Sequence, residues 1–306
     1  MENEPLGSRE SEPRIEGALK RAVAKATQAP CPARLAEAIH YSVFPGGGRV
    51  RPGLCLAVAK ACGDGDPALA DAAAVALEFF HCASLVQDDL PCFDDAATRR
   101  GQPSLHKRFG EETAILVGDA LIVMAFGEVA CHVVERPAQS AAVLEALARA
   151  AGVPTGIAAG QAWESEPQVD IAVYHHAKTA ALFEAAAVAG AVAGGAEPEP
   201  WRPVGGLLGE AYQVADDLAD ALGESRRLGK PTHQDGDKAR PSAVAKLGVE
   251  GAIELLEDLL NRATRAIPSC PGQGSVEEFL RQTAGRLYPP ELRRSAAASG
   301  CAGRRG

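Results

Sequence analysis

Alanine-rich blocks of helical period, each closed by glycine and proline, narrow what this chain can fold into more than any other feature. Residues 68–86 set Leu69, Ala72, Ala73, Val75, Ala76, Phe79 and Phe80 on one broad apolar face, the spacing of a helix that buries one side. Residues 112–134, 138–160, 171–192 and 206–222 repeat the pattern. Turn signals punctuate the blocks at Pro45-Gly46-Gly47-Gly48, from Gly63 to Pro67, at Gly194-Gly195, Gly205-Gly206 and Pro271-Gly272. Alternating apolar and polar runs bounded by hairpin turns are absent. Hydrophobic residues make up 46% of the chain but aromatics only 5%, so the core must be built from Ala, Leu and Val. The first two are strong helix formers. The sequence therefore predicts an all-α fold: one helical domain over residues 14–290, a flexible leader over 1–13 and a polar tail over 291–306.

A formal charge of −9 argues against nucleic acid, which needs dense Lys and Arg, and requires a cation if the ligand is an anion. The eight cysteines are scattered without a Cys-x-x-Cys pair. That pattern fits a reducing compartment and buried small hydrophobes rather than structural zinc. No uninterrupted apolar run reaches the ~20 residues of a membrane span, and the acidic first fifteen residues resemble neither a signal nor a transit peptide.

Two acidic clusters stand out. Asp88, Asp89 and Asp94 lie where an apolar helix runs into Pro91. Carboxylates at a helix C-terminus face the negative end of its dipole, a cost that a divalent cation with oxygen ligands would relieve. Asp216, Asp217 and Asp220 fall at helical spacings on a largely apolar stretch. Clustered acids there repel one another unless a cation intervenes. Basic residues flank the turns: Arg49 and Arg51, Arg99 and Arg100, His106 and Lys107, Lys178, and Lys230. Guanidinium forks of this kind suit a phosphate group.

Six ordered motifs carry a resemblance across residues 35–247. They are Gly46-Gly47-Gly48-Arg49-Val50-Arg51-Pro52, Asp88-Asp89-Leu90-Pro91-Cys92-Phe93-Asp94 followed by Arg99-Arg100-Gly101, Gly118-Asp119-Ala120-Leu121, Gly160-Gln161, Lys178-Thr179, and Gln213 through Asp220. In this order they resemble plant geranylgeranyl diphosphate synthases, members of the trans-isoprenyl diphosphate synthases. The resemblance implies an orthogonal helical bundle around a central cavity. It implies Mg2+ held by Asp88, Asp94 and Asp216, with Asp89, Asp217 and Asp220 as further ligands or support. Arg99, Lys178 and Lys230 would neutralise the allylic diphosphate, and Arg51, His81 and Arg100 would hold isopentenyl diphosphate. Thr179 and Gln213 would offer dipoles near the carbocation. It also implies plastid residence, although no transit peptide is visible.

Departures from the family pattern shape the functional expectation. Gly48 stands where the family has a Lys, Gln87 where a His precedes the first Asp pair, and Gly223 and Gln234 where further Lys residues are usual. This erosion resembles the small subunits of heterodimeric geranyl or geranylgeranyl diphosphate synthases, which act on a catalytic large-subunit partner. The Cys-x-x-x-Cys pairs common in those subunits are missing. The alternatives are a self-sufficient homodimeric geranylgeranyl diphosphate synthase, for which small Ala83 and Ser84 leave room for a long chain, and a class I terpene cyclase. The cyclase reading fits least, because Asp216, Asp217 and Asp220 stand where it would have Asn, Ser and Glu.

Overall fold

The computed structural model describes residues 6–44, 46–221 and 242–287. They form an all-helical bundle: α1 (Leu6–Ala26), α2 (Ala33–Val43), α3 (Val50–Ala61), α4 (Pro67–Asp88), α5 (Leu105–Phe109), α6 (Glu111–Ala130), α7 (Pro137–Ala151), α8 (Ile157–Trp163), α9 (Ile171–His175), α10 (Ala181–Gly194), α11 (Arg202–Ala221), α12 (Ala243–Arg265) and α13 (Gln273–Leu287). A π-turn over His176–Ala180 joins α9 to α10. The only strands among the described residues, β1 (Thr98–Arg99) and β2 (Gln102–Pro103), form a two-residue hairpin after the first aspartates.

Helix α10 lies at the centre, against α3, α4, α7 and α11. Every residue of it except Glu184 is buried, and most are Ala or Gly, so neighbouring backbones approach closely. Residues Gly205 and Gly209 on α11 show why: a Cβ at either would stand 2.3 Å from Phe183 O or 2.5 Å from Ala180 Cα. The sequence marks Gly205-Gly206 as a turn, but the pair lies inside α11, where close packing rather than chain reversal requires it.

The structure qualifies three further expectations. The pattern over 138–160 is two helices, α7 and α8, interrupted at 152–156 around Val153-Pro154, since Pro cannot continue the regular hydrogen bonding. By length and composition three helices could cross a membrane: α4, α6 and the run Ile171–Gly194. Their apolar runs are interrupted by only a few charges. Two are 78% and 89% buried in the fold, whereas α6 is only 33% buried and exposes Ile115 (51%), Leu116 (57%) and Val123 (70%). Of the cysteines, Cys55 and Cys82 are buried as expected, but Cys92 and Cys131 are exposed.

Candidate functional site

Asp66 caps α4, accepting a hydrogen bond from Leu69 N at 3.0 Å, with Pro67 in the first turn. The helix ends at Asp88 and Asp89, and the next loop folds back: Asp94 N donates to Asp88 O at 3.0 Å and Asp95 N to Leu90 O at 3.1 Å. Asp94 is thus carried to the end of the helix that presents Asp88. Arg99, on β1, forks onto buried Asp89, with Nε donating to the two carboxylate oxygens at 3.0 and 3.2 Å. Its Nη2 lies 3.7 Å from Asp88. Burial pushes the Asp89 carboxyl up, against the opposing pull of Arg99.

The π-turn brings Lys178 to the same place. Its ammonium pairs with Glu164 and lies 3.5 Å from Asp88, while Gln161 Nε2 donates to Asp88 Oδ1 at 3.1 Å. Tyr174 donates its hydroxyl to Glu164 at 2.8 Å. Burial works to lower the Lys178 pKa, but Asp88, Tyr174 and Glu164 raise it above its ordinary value, so the group stays charged. The resemblance named Lys178 and gave no role to Glu164 or Tyr174. A Glu three residues after Gln161 looks like an ordinary helix-end charge until the fold sets Lys178 against it.

From the next residue a second chain of contacts reaches α11. Thr179 donates its hydroxyl to Gln213 Oε1 at 2.8 Å, and Gln213 Nε2 donates to Asp217 Oδ1 at 3.0 Å. Asp217 Oδ2 accepts Ala243 N at 2.6 Å, so Asp217 also anchors the start of α12. Asp217 and Asp220 are buried and Asp216 is half-buried. The two aspartate clusters are therefore linked through adjacent residues of one π-turn, Lys178 and Thr179.

Arg51, His81 and Arg100 come together as well. The Arg51 guanidinium stacks over Phe183 at 4.5 Å and Tyr212 at 5.8 Å, and its buried Nε has no partner. Burial lowers its pKa, while Tyr212, Glu78 and Asp216 pull the other way. Arg100 donates to Gly46 O, and a Cβ on Gly47 would stand 2.7 Å from its guanidinium. His81 is held well below its ordinary value by burial and by Arg51, Arg100, Arg99 and Arg49, which leaves the imidazole neutral near pH 7 and able to donate one hydrogen bond. Arg49, a candidate phosphate donor in the sequence, is instead buried against Glu16, Glu78 and Val43 O. His106 and Lys107 face Asp95, at 3.4 and 2.9 Å. Lys230, Gly223 and Gln234 lie outside the described residues.

Among the described residues, no group of three or more His, Cys, Asp or Glu side chains is placed to hold a metal ion by itself. The site instead gathers oxygen donors, two charged side chains beside Asp88, and a separate cluster of guanidiniums around a neutral imidazole. Guanidinium and ammonium groups so placed can bind phosphate.

A polyprenyl synthetase family model matches residues 32–270. The chain is 52% identical over 281 residues to a geranylgeranyl diphosphate synthase of Cereibacter sphaeroides, covering 92% of this chain and 98% of the relative. It is 40% identical to a chloroplastic geranylgeranyl pyrophosphate synthase of Arabidopsis thaliana, over 77% of this chain and 70% of that one. Its fold matches the crystal structure of a Helicobacter pylori geranyltransferase complexed with magnesium and isoprenyl diphosphate, with a TM-score of 0.75 at 28% identity, over 92% of this chain and 99% of the other.

Proposed function

This chain belongs to the polyprenyl synthetase family, and on that premise we propose that it is a self-sufficient geranylgeranyl diphosphate synthase that condenses an allylic diphosphate with isopentenyl diphosphate. The observation that carries the reading is the link between the two aspartate clusters through Lys178 and Thr179, with Arg51, His81 and Arg100 gathered beside Arg99.

The donor set fits Mg2+: all the candidate ligands are hard carboxylate oxygens. Asp88, Asp94 and Asp216 would hold the ions. Asp89 and Asp217 are already engaged by Arg99 and by Gln213 and Ala243, so they support their neighbours, as buried Asp220 would. When bound, magnesium would neutralise charge on the departing diphosphate. Arg99 and Lys178 would bind that same diphosphate and stabilise it as the allylic C–O bond breaks; Lys230 would add a third cation. Arg51, Arg100 and neutral His81 would hold isopentenyl diphosphate so that its double bond faces the allylic carbon. Thr179 and Gln213 would turn oxygen dipoles toward the carbocation before proton loss.

The small-subunit reading keeps in its favour the departures at Gly48, Gln87, Gly223 and Gln234. The 52% identity to a bacterial synthase over nearly that relative's whole length favours the self-sufficient reading. The matched plant relatives are chloroplastic, whereas this one is bacterial, so the plastid address stays with the plant relatives. The exposed apolar face of α6 supports a homodimer, because such a face on water is an association site. Purified protein with Mg2+, dimethylallyl diphosphate and isopentenyl diphosphate should make the C20 product alone. Turnover only after a catalytic large subunit is added would restore the small-subunit reading.

A further inference from the structure

Glu78 is an acid on α4, 2% exposed and one turn from buried Ala74 on one side and buried Cys82 on the other. Its partner is Arg49, whose guanidinium has three acceptors in three different segments. Nε donates to Glu16 of α1 at 2.8 Å, Nη1 to Glu78 at 2.5 Å, and Nη2 to Val43 O at the end of α2, at 2.8 Å. Arg49 also takes φ 45° at the start of α3, a left-handed conformation uncommon for a residue with a Cβ. A buried ion pair is a poor stabiliser, since desolvation offsets much of its attraction and an apolar pair would serve as well. A guanidinium fork with each of its three nitrogens engaged adds a fixed orientation.

Position gives that orientation a use. Arg51 follows Arg49 by two residues in the same first turn of α3, and His81 lies one turn beyond Glu78 on α4. From the other side Arg100 binds Gly46 O. The glycine segment is thus gripped at both ends, by Arg100 at its start and by Arg49 at its close. We infer that Arg49 is a positioning residue: its bridge to Glu16, Glu78 and Val43 sets the first turn of α3, and hence Arg51, in register with His81 and Arg100 for the diphosphate of isopentenyl diphosphate. This rests on the role proposed above for those three residues.

Steady-state kinetics on full-length variants, with folding followed by circular dichroism, tests the inference. Glu78→Ala, and Arg49→Lys, which keeps the charge but cannot reach three acceptors, should each raise KM for isopentenyl diphosphate about tenfold. The allylic KM and kcat should change by less than about threefold. Glu78→Gln keeps an acceptor oxygen in place and should restore most of the affinity. Folded Glu78→Ala and Arg49→Lys variants with an unchanged KM overturn the inference, as do variants that lose both substrates and kcat in equal measure. Should Glu78→Ala fail to fold, Arg49→Lys supplies the same readout. Should wild type show no turnover, the synthase reading falls, and calorimetric titration of each variant with isopentenyl diphosphate still decides whether the bridge controls its binding.

Discussion

At the residue scale, the site depends on which charges find partners inside the protein and which face the ligand space. Arg49 and Arg51 are two residues apart and look equivalent in the sequence, yet one is spent on Glu16 and Glu78 while the other stacks on Phe183. Gly48 supplies no charge at all. A charge-assisted phosphate contact contributes about 1.5–3 kcal/mol, so Gly48→Lys should lower KM for isopentenyl diphosphate roughly tenfold or more; an unchanged KM would mean that the existing cations already saturate the ligand. His176 gives a pH prediction. A hydrogen bond to Glu184 at 3.0 Å raises its pKa, against the lowering effect of burial. Because the folded value exceeds the unfolded one, the pair's stabilisation is complete below the ordinary imidazole pKa and is lost as pH rises through the raised value. The site is partly solvated, so the effect stays below about 1 kcal/mol. His176→Asn should therefore reduce the thermal midpoint at about pH 5.5 more than at about pH 8.5.

At the element scale, the π-turn His176–Ala180 is the junction of the site. One of its residues meets Asp88 and the next meets Gln213, so a single irregular turn joins α4 to α11. An extra residue per turn in a helix is a common device at functional positions. Helix α6 makes a different kind of statement. Its inner side packs along α4, with Phe126 edge-on to Phe80 at 5.2 Å, and its outer side leaves Leu116 and Val123 on the surface. The paired substitution Leu116→Glu with Val123→Glu should convert a dimer to a monomer in sedimentation experiments without lowering helix content, because more than half of each residue's surface is exposed on a single chain. A dimer that survives both changes would place the association face elsewhere.

At the scale of the whole molecule, the described acids are interleaved with cations, Arg99 and Lys178 both lying beside Asp88. No described trio of side chains holds a metal unaided, so magnesium alone should leave the thermal midpoint nearly unchanged. Magnesium with inorganic diphosphate should raise it, by the equivalent of about 2.7 kcal/mol at a ligand concentration a hundred times Kd. Equal stabilisation by the metal alone would show a pre-formed ion site. Chelation should abolish turnover, and added Mg2+ should restore it, with little change in far-ultraviolet circular dichroism.

The helical class, the Ala-built core and the order of the motifs were legible in the sequence, because periodicity and residue type are local properties of the chain. The aspartates and cations proposed for the site were named from residue type and motif order, which are local in the same way. What only the tertiary structure decided was pairing: that Glu164 and Tyr174 hold Lys178, that Asp217 anchors α12, that Gly205 serves close packing instead of a turn, and that Arg49 faces inward. Most of these depend on residues that only the fold brings together, and whether a charge is spent on the protein is fixed by which neighbours burial brings within hydrogen-bond distance.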